Sequence, residues 1–414
     1  MPQNKQPKLV RISEKLQQNM QYVDELMGLE TNFDIIHRVI RLGDTDACMY
    51  LIDGFCKDEL MQKILQYLMD LKAEDFPKDA HEMSKIAIPY VEVDLDDTWE
   101  KILGALLSGV FVLLLDGYEK AVLIDARTYP TRGVEEPDKD KVLRGSKDGF
   151  VETVVFNTAL IRRRIRSTDL HMEMLNAGEN SRTDIVLCYM ESRVDPKLLT
   201  QIRERIRSIQ VDALAMNQES LAECLYQRKW YNPFPKFKYT ERPDTAAAQV
   251  LEGNLVILVD NSPSAMILPT TIFDVVEEAD DYYFPPVTGT YLRLTRFLIA
   301  LLTYFVTPTY LLLMNHRMWI PENLEFIILK EDPNVPLILQ FLLLELAIDG
   351  LRLAAVNTPN MLSTPLSVMA ALVLGEFSVK SGWFNSETML YMAFVTIANY
   401  SQASFEMGYA LKFM

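Results

Sequence analysis

What this sequence has little of narrows its function first. It holds four histidines, His37, His81, His171 and His316, scattered without ligand spacing, so no metal site is expected. Its four cysteines, Cys48, Cys56, Cys188 and Cys224, fall in or beside apolar runs with no CxxC pair, which reads as free buried thiols in a reducing compartment. No glycine-rich turn follows a strand to open a helix, and RGSKDG at 144–149 has the wrong spacing for a phosphate cradle. The acidic pairs Asp96-Asp97, Glu277-Glu278 and Asp280-Asp281 read as solvated faces or caps, and Arg162, Arg163, Arg164 and Arg166 as a charged helix face. No residue is therefore assigned a catalytic, cofactor-binding or metal-ligating role, and the chain is expected not to be an enzyme. A formal net charge of −16 argues against a nucleic-acid partner, because an acidic surface repels a phosphate backbone. The N-terminus, MPQNKQPKLVRISEKLQQNM, lacks an apolar core before a small-residue cleavage site, so it does not read as a secretory signal and the N-terminal region is expected to be cytosolic.

What is present is unevenly spread. The 414 residues exceed one ordinary core, and charged residues crowd the chain before about residue 290, whereas Leu, Ile, Val, Phe, Met and Ala dominate from Tyr291 onward. The expected fold is an α/β cytosolic region of two related subdomains followed by an α-helical transmembrane bundle. The segments are an N-terminal helical segment 1–44, a first subdomain 45–126, a linker 127–149, a second subdomain 150–288 and a membrane domain 289–414.

Within this frame, a first helix is expected over 13–29 with Ser13 as its N-cap, a strand over 47–52, a helix over 59–71, a strand over 86–93 and a helix over 98–107. Strands 110–115 and 121–124 make a hairpin around Asp116-Gly117. After the Pro-, Gly- and charge-rich stretch 128–148, a helix over 150–175 leads to a strand over 185–189. Asp195 then caps a helix with Pro196 at its first position, another helix lies near 219–228, and a second hairpin spans 255–259 and 265–268. The hairpins repeat a pattern, L-x-G-x2-V-x-L-x-D-x4-A. It runs through Leu107, Gly109, Val112, Leu114, Asp116 and Ala121, and again through Leu251, Gly253, Val256, Leu258, Asp260 and Ala265. That spacing predicts an internal duplication.

The run 297–314 carries no charge across 18 residues, close to what is needed to cross a hydrocarbon core, and Arg293 and Arg296 at its start favour the cytosolic side. Thr303, Thr307 and Pro308 interrupt it. The segment 335–347 is shorter, and Glu345, Asp349 and Arg352 fall on one face, as an interfacial, re-entrant or spanning helix would have them. Glu376 lies in 366–379, and Asn399 follows the apolar run 389–398. Polar groups at membrane depth are expensive, so Thr303, Thr307, Glu345, Asp349, Glu376 and Asn399 are the candidate pore or membrane residues.

Several separated stretches carry a family resemblance. RGSKDGFVETVVFNTALIRRRI at 144–165 and YTERPD at 239–244 look like signature segments of the GerA-type spore germination receptor A-subunit family. So do Leu251-Glu252-Gly253, Val259-Asp260, Pro269 and Asp281-Tyr282-Tyr283, in the same order, and the likeness covers about residues 40 to 400. The resemblance makes Thr240, Glu241, Arg242, Pro243 and Asp244 family motif residues. It implies a multi-pass protein of the spore inner membrane or cell membrane, acting in germination as a homo-oligomeric ion channel subunit that releases ions from the spore core. The alternative it implies is a non-conducting germinant-sensing or scaffold subunit of a receptor complex. Partners would be identical copies, further membrane or receptor subunits, and lipid. The family continues with hydrophobic sequence where this chain stops at Met414, so a truncated membrane part is also expected.

Overall fold

The computed structural model describes residues 10–56, 58–127, 145–226, 231–278, 280–357, 368, 370–402 and 404–413. It divides into two units, one of Met1–Arg228 with Lys236–Thr270 and one of Lys229–Pro235 with Thr271–Met414. Most of the predicted linker lies outside the described residues.

The first unit contains two five-stranded antiparallel sheets. Its elements begin α1 (Leu16–Met27), β1 (Ile35–Leu42), β2 (Thr45–Ile52), α2 (Asp58–Met69), α3 (Ala80–Glu82), β3 (Val93–Asp96), α4 (Trp99–Leu107), β4 (Phe111–Leu115) and β5 (Ala121–Ile124). They continue α5 (Val154–Arg164), β6 (Leu170–Ala177), β7 (Thr183–Met190), α6 (Pro196–Arg207), α7 (Gln218–Leu225), β8 (Lys238–Thr240), α8 (Pro243–Glu252), β9 (Leu255–Val259) and β10 (Ala265–Leu268). Strand orders are β1-β2-β4-β5-β3 and β6-β7-β9-β10-β8, one order used twice. The central strands are continuous apolar runs because helices cover both faces. α1 and α4 cover one face of the first sheet and α2 the other. α5 and α8, then α6 and α7, do the same for the second.

The duplication extends to single hydrogen bonds. The aspartate of the repeated pattern holds the first N–H of the leading helix in each copy: Leu16 N donates to Asp116 Oδ1 at 2.9 Å, and Val154 N to Asp260 Oδ1 at 3.1 Å. A carboxylate there satisfies an N–H that has no partner inside the helix and meets the positive end of its dipole. One turn on, an asparagine clasps the incoming chain twice over. Asn19 bonds the N–H and C=O of Ser13 at 2.8 and 2.6 Å, and Asn157 those of Val151 at the same distances. The repeated glycines have φ of 94° at Gly109 and 100° at Gly253, where a side chain would be strained. A Cβ on Gly253 would also lie 2.9 Å from the Arg193 carbonyl oxygen.

Some expectations shift. α1 and β1, inside the predicted N-terminal segment 1–44, belong to the first sheet and its core. The helix begins at Leu16 with Lys15 at its N-cap, so Ser13 lies outside it. The strand expected at 86–93 is a π-helical turn, Met83–Ala87, followed by β3. The helix expected over 150–175 ends at Arg164, and β6 takes up its second half.

The break follows from Arg162. Far from lying on a solvated face, it is fully buried between the subdomains. Its Nε and Nη2 reach Asp34 Oδ2 and Oδ1 at 2.8 and 3.1 Å, and Nη1 reaches the carbonyls of Ser167 and Leu170 at 3.4 and 3.1 Å, drawing the chain back on itself. Around this pair Phe33 N donates to the Met172 carbonyl at 3.2 Å and Met172 N to Asn32 Oδ1 at 2.6 Å, so the α1–β1 loop covers the edge of β6. His171 stands at the same junction, its Nδ1 3.1 Å from Thr31 Oγ1.

The second unit is helical: α9 (Ile272–Val276), α10 (Asp280–Tyr283), α11 (Pro286–Asn315), α12 (Leu337–Asn357), α13 (Ser378–Lys380), α14 (Ser386–Tyr400) and α15 (Phe405–Phe413), with a π-helical stretch Ala371–Phe377. Among the described residues one helix, Pro286–Asn315, is long and apolar enough to cross a membrane.

Two predictions follow from the junction. Asp34→Ala strands a buried guanidinium and should lower stability by about 3–5 kcal/mol in denaturant unfolding, whereas the paired change Asp34→Leu with Arg162→Met should recover most of it. Burial holds the His171 imidazole below its ordinary value of 6.5 against the pull of Glu191. The unfolded chain therefore takes up its proton first, so stability is full above the ordinary value and falls as pH drops through it toward the lowered one. His171→Gln should flatten that slope in unfolding curves taken from pH 8 to 5.

Candidate functional site

The second unit gathers polar groups that its sequence scatters. α11 lies against α14 and α12, with Tyr310 packed on Phe341 and Tyr391 at ring separations of 5.9 and 4.2 Å. Gln340 ties the starts of α12 and α14 together: its Nε2 donates to Asn385 Oδ1 at 2.8 Å and its Oε1 accepts from Asn385 N at 3.0 Å. Above this packed end the helices part around a cleft of about 600 Å³.

Thr303 and Thr307 of α11, Glu345 and Asp349 of α12, and Asn399 of α14 all line it. Five of the six predicted membrane polar residues thus meet in one place. The two carboxylates stand one helical turn apart, and Lys412 of α15 reaches both, its Nζ 2.5 Å from Glu345 and 2.6 Å from Asp349. Arg352 lies with its guanidinium 5.0 Å from the Tyr400 ring centre and 4.9 Å from that of Tyr409. Two acids and two bases thus balance in charge along one cleft of an otherwise apolar unit. Asn399 Nδ2 donates to the Gly408 carbonyl at 3.0 Å and holds α15 in place. Glu376 does not join them; it is exposed and pairs with Lys380 four residues on. Lys412 and the two tyrosines were not found by sequence reasoning. A single lysine in the apolar run ALKF was the available signal for the first.

Where α11 begins, a second charged group forms. Arg296 bonds Glu278 at 2.7 Å and Asp281 at 2.5 Å, and Arg293 reaches Glu277 at 3.3 Å. The charge-free stretch of α11 starts directly after it.

In the first unit, the TERPD residues form a clamp. Arg242 is fully buried at the start of α8, its Nη2 2.5 Å from Asp244 and 2.8 Å from the Ser146 carbonyl, while the Glu241 carbonyl accepts from Phe150 N at 2.8 Å. Pro243 occupies the first turn of α8, where its missing N–H costs nothing, and the Thr240 hydroxyl accepts from Arg242 N at 3.2 Å. Arg164 bonds Asp148 at 2.5 Å, so burial of that carboxyl is outweighed and it is held below the usual carboxylate range. Two stretches far apart in sequence, GSKDGF at 145–150 and YTERPD at 239–244, are one interlocked structure. The clamp ties the start of α8 to the stretch ahead of α5.

A family model described as Bacillus/Clostridium GerA spore germination protein matches residues 21–414. The chain belongs to the GerA spore germination family. It is 37% identical over 414 residues to stage V sporulation protein AF of Bacillus subtilis (strain 168), covering 100% of this chain and 83% of that one. It is 29% identical to the uncharacterized membrane protein YfkQ of the same organism, over 97% of this chain and 79% of the relative. Among solved structures, the N-terminal domain of the A subunit of the Bacillus megaterium spore germinant receptor GerK3 matches 64% of this chain and 98% of its own, at 26% identity and a TM-score of 0.50. The two antiparallel subdomains thus have a counterpart in a GerA-type A subunit.

Arg242→Ala should cost several kcal/mol in unfolding measurements, because a fully buried guanidinium that binds Asp244 and the Ser146 carbonyl is lost and the carbonyl is left without that donor. Arg242→Lys should recover little of this, since an ammonium cannot serve Asp244 and the Ser146 carbonyl in the same fork.

Proposed function

We propose that this chain is a membrane subunit of the spore germination machinery, in the spore inner membrane or cell membrane, whose copies assemble into an ion-conducting path. The single observation that carries the reading is the cleft. Thr303 and Thr307 flank the centre of the charge-free stretch of α11, and Glu345, Asp349, Arg352 and Lys412 face the same space. With α11 across the bilayer, about 1.5 Å per residue sets these groups near mid-depth, where ionisable side chains are kept for work on ions or protons. Arg293 and Arg296 at the start of α11 favour a cytosolic first unit. The chain's role is non-catalytic. The name of the YfkQ relative supports the membrane setting, and the GerK3 likeness supports further receptor subunits as partners.

Ion flux through liposomes holding the purified protein tests this, with oligomeric size measured in the same preparation. Flux is expected from the intact protein, and Glu345→Gln or Asp349→Asn should change it at least ~5-fold by removing a charge at membrane depth. Glu376→Gln, outside the cleft, serves as the comparison. A monomer without flux would sink the pore.

A further inference from the structure

The two cations of the cleft are held in unlike ways. Arg352 lies over the rings of both Tyr400 and Tyr409, which restrain its guanidinium. Lys412 is a compact charge on a flexible stem, and it bridges Glu345 and Asp349 with its side chain 18% exposed. The two carboxylates are 28% and 32% exposed and line the open cleft, so a small ion that enters the cleft reaches the same oxygens as the lysine. Of the two bases, Lys412 is the one built to exchange with a free ion.

With Lys412 seated, the charges of Glu345, Asp349, Arg352 and Lys412 sum to zero. With it withdrawn, two carboxylates face one guanidinium and the cleft is left with a net negative charge. At membrane depth such a charge is costly unless another cation replaces the ammonium. The seat fits a monovalent cation, because an ammonium already sits there between two carboxylates, and Thr303, Thr307 and Asn399 bring hydroxyl and amide oxygens to the same space. We infer that Lys412 is a tethered counter-ion that keeps free cations out of the cleft, and that a monovalent metal cation takes its place on Glu345 and Asp349 when the path conducts. The inference rests on the reading of the cleft as an ion path, and it adds the sign of the ion and the side chain that gates it.

The test compares the full chain in potassium chloride and in choline chloride of equal ionic strength, choline being too bulky to sit between the two carboxylates. Thermal unfolding in detergent is read first. Lys412→Gln is expected to melt higher in potassium chloride than in choline chloride, because an ion that binds only the folded chain stabilises it, whereas the unaltered chain should differ little between the salts. Adding Glu345→Gln and Asp349→Asn to Lys412→Gln should abolish the difference. A Lys412→Gln chain indifferent to the cation overturns the inference. A second readout needs no substitution: acylation of Lys412 by an amine reagent, followed by mass spectrometry relative to the exposed Lys380, should run several-fold faster in potassium chloride, since potassium frees the ammonium. Equal rates overturn the exchange. In liposomes, Lys412→Gln should pass potassium several-fold faster than the unaltered chain. A potassium-dependent melt with no flux from either chain would sink the ion path and keep the cation site, whereas equal flux from both would keep the path and remove the gate.

Discussion

The first unit depends on the buried pair of Arg162 and Asp34. Two charges taken out of water are stabilising only if each finds close partners, and here one guanidinium serves a carboxylate and two carbonyls at once. The pair spans 128 positions of sequence and belongs to both subdomains, so separating them would leave a charge stranded. Asn32, Phe33 and His171 are arranged around it. α5 lies between the two cores: Ala159 packs into the first, and Leu160 and Ile161 into the second. A repeated fold has thereby become one body.

The helical unit follows the same rule at a less buried place. Lys412 brings to Glu345 and Asp349 the compensation that Asp34 brings to Arg162, but beside a cleft rather than in a sealed core. Closed, charge-balanced groups are architecture, whereas the same balance next to open space leaves room for an ion or water to compete for it.

Much of this was legible in the sequence where the cause is local. The duplication showed because Asp116 and Asp260 must hold a helix N-terminus at one fixed spacing from the turn. The hairpins showed through their turn residues, and the α6 start through Asp195 before Pro196. What stayed hidden has distant causes. Arg162 looks like its exposed basic neighbours because its partner is far away in sequence. The helix expected over 150–175 was carried on by apolar residues that alternate within β6, and β1, with His37, Arg38 and Arg41 among its apolar residues, did not look like a strand of a core sheet. Glu345 and Asp349 could be paired by helical spacing, but their contact with Lys412, 63 residues beyond Asp349, could not.

The central claim is that the cleft is a water-filled place at membrane depth. The most direct test is to introduce Thr307→Cys into the protein without its native cysteines and expose sealed proteoliposomes to a charged, membrane-impermeant thiol reagent. Labelling at Thr307, with protection of a cysteine at Leu313 on the same helix, is the predicted result. A cysteine at position 307 that stays unlabelled while one at 291 reacts would mean that the cleft is closed to water, and would contradict the account.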